Sequence, residues 1–161
     1  MAFMLALTLI SVSTACGSAS DEVLSCTVRS VHDGDSLRVQ CPGHQNARLR
    51  LDQIDAPEVE QAYGKKAGEY LKKLCPIGSE VLVRLQGKDQ YGRLLGDAEC
   101  GGKSVNHEMI AAGAAWAYKR YVRDANLRRL EEEARQARRG LWAHSDPQPP
   151  WQWRYRHRRD D

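Results

Sequence analysis

Ala47-Arg48-Leu49-Arg50-Leu51-Asp52-Gln53-Ile54-Asp55-Ala56-Pro57-Glu58 is the stretch that decides the fold of this 161-residue chain. Leu49 and Leu51 alternate with Arg48, Arg50 and Asp52, which is the period of a half-buried strand. The spacing predicts a strand over 47–54. It runs out into two carboxylates, Asp55 and Glu58, on either side of a proline that cannot extend a ladder.

Reading upstream, Val23 to Val31 and Ser36 to Cys41 have strand character, and Asp33-Gly34 between them is a strong hairpin signal. A turn centred there sets Cys26 opposite Cys41, a geometry that suits a disulfide if the pair is of the close, non-hydrogen-bonded kind. Pro42 to Asn46 is a second turn, so the three strands form a meander. Asp33 and Asp35 then leave the hairpin end beside the third strand.

Downstream, Ala67, Tyr70, Leu71 and Leu74 recur at helical spacing and predict a helix over 64–75, stopped by Pro76 and Gly78. Strands follow over 80–85 and 93–100, and folding this hairpin back brings Cys100 within reach of Cys75. Ser104 caps a short helix through Val105, Met109 and Ile110. Gly113 ends it, and a short apolar stretch runs over 114–118. Asp124 caps a last helix over 125–139 with a stripe of Leu127, Leu130, Ala134 and Ala137. Three strands, a helix, two strands and two helices match an α+β OB-fold, a five-stranded β-barrel with three helices. An αβ sandwich of the same elements is the alternative.

Three segments are expected. Residues 1–20 read as an export signal, 21–143 as the folded domain, and 144–161 as a tail rich in Pro, Trp and Arg. Phe3 to Val12 is apolar but shorter than the roughly 20 residues of a membrane span. Small residues follow it, as in a cleavage zone, although no Lys or Arg precedes the run. Val12-Ser13-Thr14-Ala15-Cys16 has the form of an imperfect lipobox, with Cys16 as the lipidation site and possible membrane anchor. Five cysteines is an odd count for an exported protein. Removing or lipidating Cys16 leaves Cys26, Cys41, Cys75 and Cys100, an even set for an oxidising compartment. The expected location is the periplasm, the cell envelope or the medium.

Composition narrows the function classes. The net charge of +3 is mild, but basic residues crowd the chain from Lys119 to Arg159. The five histidines, at 32, 44, 107, 144 and 157, lack the mutual spacing of a zinc site, and there is no Cys-x-x-Cys. The hard oxygens of Asp33, Asp35, Asp55 and Glu58, at adjacent strand ends, suit Ca²⁺. An Asp-Gly-Asp turn is in itself a common solvated turn, and a lone arginine is more often a surface ion-pair partner. Arg50 and Arg93 alter that weighing. Hydrolysis of a phosphodiester needs positive charge for the phosphate oxygens and a separate carboxylate for the proton of water.

The motifs Asp33-Gly34-Asp35-Ser36, Ile54-Asp55-Ala56-Pro57-Glu58 and Asp89-Gln90-Tyr91-Gly92-Arg93 together resemble the staphylococcal (thermo)nuclease-like family. The likeness continues through Val105-Asn106 and Gly113-Ala114-Ala115-Trp116 to Arg138-Arg139-Gly140-Leu141-Trp142. It implies an OB-fold barrel with three helices and a Ca²⁺-dependent endonuclease on DNA and RNA that leaves 3′-phosphate ends. It implies that Asp35, Asp55 and the backbone carbonyl of Ala56 hold the metal, with Asp33 behind them. Glu58 would be the general base, and Arg50 and Arg93 would bind phosphate and stabilise the transition state. Ala56 and Ser36 each stand where the family more often has Thr, and the loop over 59–63 is shorter. A monomer is expected.

Tyr118 and Tyr121 are candidates for stacking on a base, against the plainer reading of surface or core packing. The tail from Trp151 to Arg159 either grips nucleic acid or an anionic membrane face, or is pinned to the barrel through its Trp residues. A binding module that holds nucleic acid without cutting it is the competing functional class, and a structural envelope lipoprotein a third.

Overall fold

The structure, a computed structural model, describes residues 22–157. The expected signal, Cys16 and the last two tail arginines lie outside the described residues. Eight strands and four helices follow in order: β1 (Val23–Val31), β2 (Ser36–Cys41), β3 (His44–Leu51), β4 (Ile54–Asp55), α1 (Gly64–Leu74), β5 (Glu80–Lys88), β6 (Leu94–Cys100), β7 (Lys103–Ser104), α2 (Val105–Ala111), β8 (Trp116–Ala117), α3 (Ala125–Gln136) and α4 (Pro150–His157). A 3-10 turn spans Gly140–Ala143.

The meander forms as read. β1 pairs with β2 and β2 with β3, both antiparallel, and β1 also pairs with β5 and β5 with β6. A parallel seam between β3 and β6 closes the five-stranded barrel, with Leu49 opposite Leu94, Arg50 opposite Leu95 and Leu51 opposite Gly96. Val28, Val39, Leu49, Val81, Val83 and Leu94 point inward and are buried, because alternate residues of a strand face one side. Disulfides join Cys26 to Cys41 and Cys75 to Cys100, with Cα–Cα separations of 4.2 and 5.6 Å. The first is the cross-strand pair expected from the turn, and the second ties the end of α1 to the end of β6.

Two differences from the expected layout bear on the site. The strand foreseen over 47–54 is broken at Asp52 and Gln53, where Gln53 takes a left-handed φ of 65°. β3 stays in the barrel, while β4 turns away and pairs with β8, Ile54 opposite Ala117 and Asp55 opposite Trp116. Gln53 holds the break, its Oε1 accepting the backbone N–H groups of Arg123 and Asp124 at 2.7 and 2.9 Å. The tail supplies the second difference, a fourth helix. Pro150 stands at its first position, where a fixed φ favours helix and no N–H is missed. Trp151 lies stacked on Tyr118 and edge-on to Trp116, with ring centroids 5.6 Å apart in both cases. The Trp-pinning reading of the tail therefore holds for Trp151.

Candidate active site

Asp35 enters from the start of β2, Arg50 from β3 and Asp55 from β4. The β2–β3 register sets Ser36 opposite Arg50, so the acidic turn and the guanidinium lie at one end of the barrel. The Arg50 guanidinium spans two carboxylates. One nitrogen is 3.2 Å from Asp35 Oδ2 and donates to the Leu51 carbonyl at 2.8 Å; the other is 3.0 Å from Asp55 Oδ1. Asp35 is further fixed by the Ala56 N–H, which donates to Oδ2 at 2.7 Å, and by the Ser36 hydroxyl at 3.1 Å from Oδ1. Ser36 thus supplies a hydroxyl, as the more usual Thr would. The Asp35 N–H donates to Asp33 Oδ1 at 3.0 Å, so Asp33 touches the turn from behind.

Electrostatics separate these carboxylates. Burial, and then the neighbouring Asp35 charge, push Asp33 up to about 6. Burial also raises Asp55, which is fully buried, while the guanidiniums of Arg154 and Arg50 pull against it. Both shifts mark carboxylates taken out of water at this end of the barrel, with the Asp35 charge adding to the effect of burial.

Glu58 sits in the loop before α1. Its N–H donates to Gln61 Oε1 at 3.2 Å, and its carbonyl accepts the Gln61 N–H at 2.9 Å. Arg93 follows the β5–β6 loop, where its Nε lies 2.6 Å from Asp89 Oδ2. Burial acts to raise Asp89, but hydrogen bonds from Arg93 and the Tyr91 N–H outweigh it and hold the carboxyl below its ordinary value. Arg93 does not touch the carboxylate cluster. It lines the same cleft of about 1140 Å³ as Asp33, Asp35, Arg50, Asp55 and Glu58. Tyr118 and Tyr121 are on its wall, their rings edge-to-face at 4.9 Å. All the side chains singled out from the sequence for catalysis, metal holding and base stacking thus face one cavity.

Arg154 was not foreseen. From α4 it donates to Asp55 Oδ1 and Oδ2 at 3.1 and 2.8 Å, and to Glu58 Oε1 at 2.7 Å. Burial works against its charge, yet the Asp55 and Glu58 carboxylates outweigh that and raise its pKa. Glu58, expected to stand apart, is therefore engaged. The signal was Trp151 and Arg154 about one helical turn apart behind two prolines, a pattern too short to place on a particular surface. Asn106 is buried behind Asp52, outside the lining of the cleft, and ties α2 to the barrel: Nδ2 donates to the Asp52 carbonyl at 2.8 Å, and Oδ1 accepts the Ala98 N–H at 3.0 Å.

The donor set is all oxygen: two carboxylates within one guanidinium's span, with a third reached by Arg154. This chemistry fits a hard cation such as Ca²⁺. Among the described residues no three His, Cys, Asp or Glu side chains form a ready-made metal cluster; guanidiniums bridge the carboxylates instead.

A family model described as staphylococcal nuclease homologue matches residues 48–144. A protein of Escherichia coli O157:H7 named "Uncharacterized endonuclease" is 45% identical over 127 residues, which is 78% of this chain and 82% of that one. One of the same name from Haemophilus influenzae is 37% identical over 146 residues, 91% of this chain and 82% of that one. "Staphylococcal-like nuclease CAN1" of Arabidopsis thaliana is 46% identical over 107 residues, 66% of this chain but 33% of the plant protein.

Proposed function

The chain belongs to the staphylococcal nuclease family and is a nuclease, and from that premise we propose that it is an exported, Ca²⁺-dependent endonuclease that cuts DNA and RNA to 3′-phosphate ends. The observation that carries this reading is the Arg50 guanidinium spanning Asp35 and Asp55 on the floor of a cleft that also holds Glu58 and Arg93. The apolar run Phe3 to Val12 and the two disulfides support export.

Asp35, Asp55 and the Ala56 carbonyl would hold the metal, which when bound supplies positive charge to the scissile phosphate. Arg50 and Arg93 bind the phosphate oxygens from two sides through charge-assisted hydrogen bonds, which strengthen as negative charge builds in the transition state. Glu58 accepts a proton from the attacking water, whose oxygen bonds to phosphorus. The bond from phosphorus to the 5′-oxygen breaks, the departing oxygen takes a proton, and the phosphate stays on the 3′ side. Tyr118 and Tyr121 offer ring faces to unpaired bases. Asp33 braces the Asp35 backbone.

The test is incubation of the mature protein with single-stranded DNA and with RNA, in Ca²⁺ and then in chelator, with end-group analysis of the products. Calcium-dependent fragments carrying 5′-hydroxyl and 3′-phosphate ends are expected. Cleavage that survives the chelator, or fragments with 5′-phosphates, would sink the reading.

A further inference from the structure

Helix α4 lies in the cleft that the substrate needs. Trp151, Trp153, Arg154 and His157 all line it. The Trp151 ring is 10° from parallel with the ring of Tyr118, so it covers a face on which a base would stack. Arg154 places its guanidinium on both oxygens of Asp55 and on Glu58, which the proposed function gives to the cation and to the proton of water. One segment thus meets the base wall, a cation-holding carboxylate and the general base.

We propose that α4 is an autoinhibitory strap, with Arg154 acting as a built-in cation that Ca²⁺ must displace before nucleic acid enters the cleft. This rests on the calcium-dependent nuclease reading above.

The hold of the strap is conditional. α4 has eight residues, of which only Pro150 is buried. A helix of this length is marginal unless tertiary contacts sustain it. Those contacts include the Arg154 ion pairs, the stacking of Trp151 on Tyr118 and one hydrogen bond from Gln61 Nε2 to the Gln148 carbonyl at 2.5 Å. Gln61 is also the residue that holds the Glu58 backbone. The loop that carries the proposed base and the segment leading into the strap therefore share one side chain. The segment from Pro147 to Pro150 contains three prolines, which favours a stiff, extended tether that keeps the strap near the cleft after release. A doubly charged ion competes for Asp55 with a singly charged guanidinium, so release follows calcium concentration. α4 lies beyond the 48–144 span of the family match.

The experiment compares the full mature chain with its R154Q and W151A variants. Ca²⁺ alone is titrated by calorimetry, and trypsin cleavage after Arg156 is followed by intact mass with and without Ca²⁺. R154Q is expected to bind Ca²⁺ at least tenfold more tightly and to cut DNA at lower Ca²⁺. In the wild-type chain, Ca²⁺ should speed cleavage after Arg156, and W151A should be cut faster than wild type without it. Wild-type binding of Ca²⁺ with no gain in R154Q overturns the strap alone. A fall in R154Q activity at unchanged affinity also overturns it, and makes Arg154 a phosphate ligand. Absence of Ca²⁺ binding in every chain overturns the calcium reading, and the strap with it.

Discussion

Gly64 lies against Glu58 so closely that a Cβ on the glycine would stand 1.8 Å from the Glu58 carbonyl oxygen. The first residue of α1 therefore fixes where the loop carrying Glu58, the proposed general base, can lie. Gly64→Ala must push that loop outward. The expected cost is about 1–3 kcal/mol in urea unfolding, with a loss of cleavage larger than the lost folded fraction explains. Full activity at unchanged stability would show that Glu58 tolerates displacement.

Arg50 and Arg93 should separate by stability. Arg50→Ala leaves Asp35 without its guanidinium while Asp55 keeps Arg154, and breaking a buried ion pair from one side costs about 3 kcal/mol. Arg93→Ala leaves only the more exposed Asp89 unpaired, worth roughly 0–1 kcal/mol. Both variants are expected to lose about 100-fold or more in kcat. Denaturant midpoints and single-turnover rates, measured side by side, check the split.

Glu58→Gln keeps the size of the side chain and removes its proton acceptor. Activity should fall by roughly 100-fold or more, and the acid limb of the pH–rate profile should flatten. Calcium affinity, by calorimetry, should change little, because Asp35 and Asp55 remain. A large loss of affinity would move Glu58 from the base role to the cation.

Asp33 sets a pH dependence. Its folded pKa, about 6, lies above the unfolded value near 3.8. Between these values the native state binds more protons than the unfolded state, so stability falls as pH rises through the window, and the loss is complete above it. Asp33→Asn removes the ionisable group and keeps an oxygen for the Asp35 N–H. Without divalent cations it should be more stable than wild type at pH 7.5, with the gap shrinking towards pH 4. Urea midpoints at the two pH values decide this, and an unchanged gap would refute it.

Cys26–Cys41 closes 15 residues and Cys75–Cys100 closes 25. Loop-closure entropy assigns each about 3 kcal/mol. Replacing either pair by serine should lower stability by that order, and reductant should lower the wild type by more than either replacement. Non-reducing peptide mass mapping checks the pairing.

Much of this site was legible because the meander sets its neighbours. A hairpin turn at Asp33-Gly34 and a second at Pro42 place Asp35 beside Arg50 with few alternatives. The break at Gln53 was not read, although the alternation of Leu49 and Leu51 slips phase there, with polar Gln53 in step and Ile54 out of step; what it leads to is set by β8, the partner of β4 more than 60 residues away in sequence. Arg154 was hidden for a related reason. Eight residues after a proline-rich tether carry a helical spacing but no information about where they dock. The aromatic partners Tyr118 and Trp116 that seat them are visible only once β8 is in place.

The parallel seam between β3 and β6 has a consequence for the order of events on the folding pathway. Arg50 and Arg93 reach one cleft only after residues over 40 positions apart have met, a non-local contact that carries a closure cost the local hairpins do not. A chain with its meander made and its seam open has Asp35 beside Arg50 but lacks Arg93, the second proposed phosphate ligand. Cleavage of nucleic acid is therefore expected only once the seam has closed, with no partial activity from a chain that has made its meander alone.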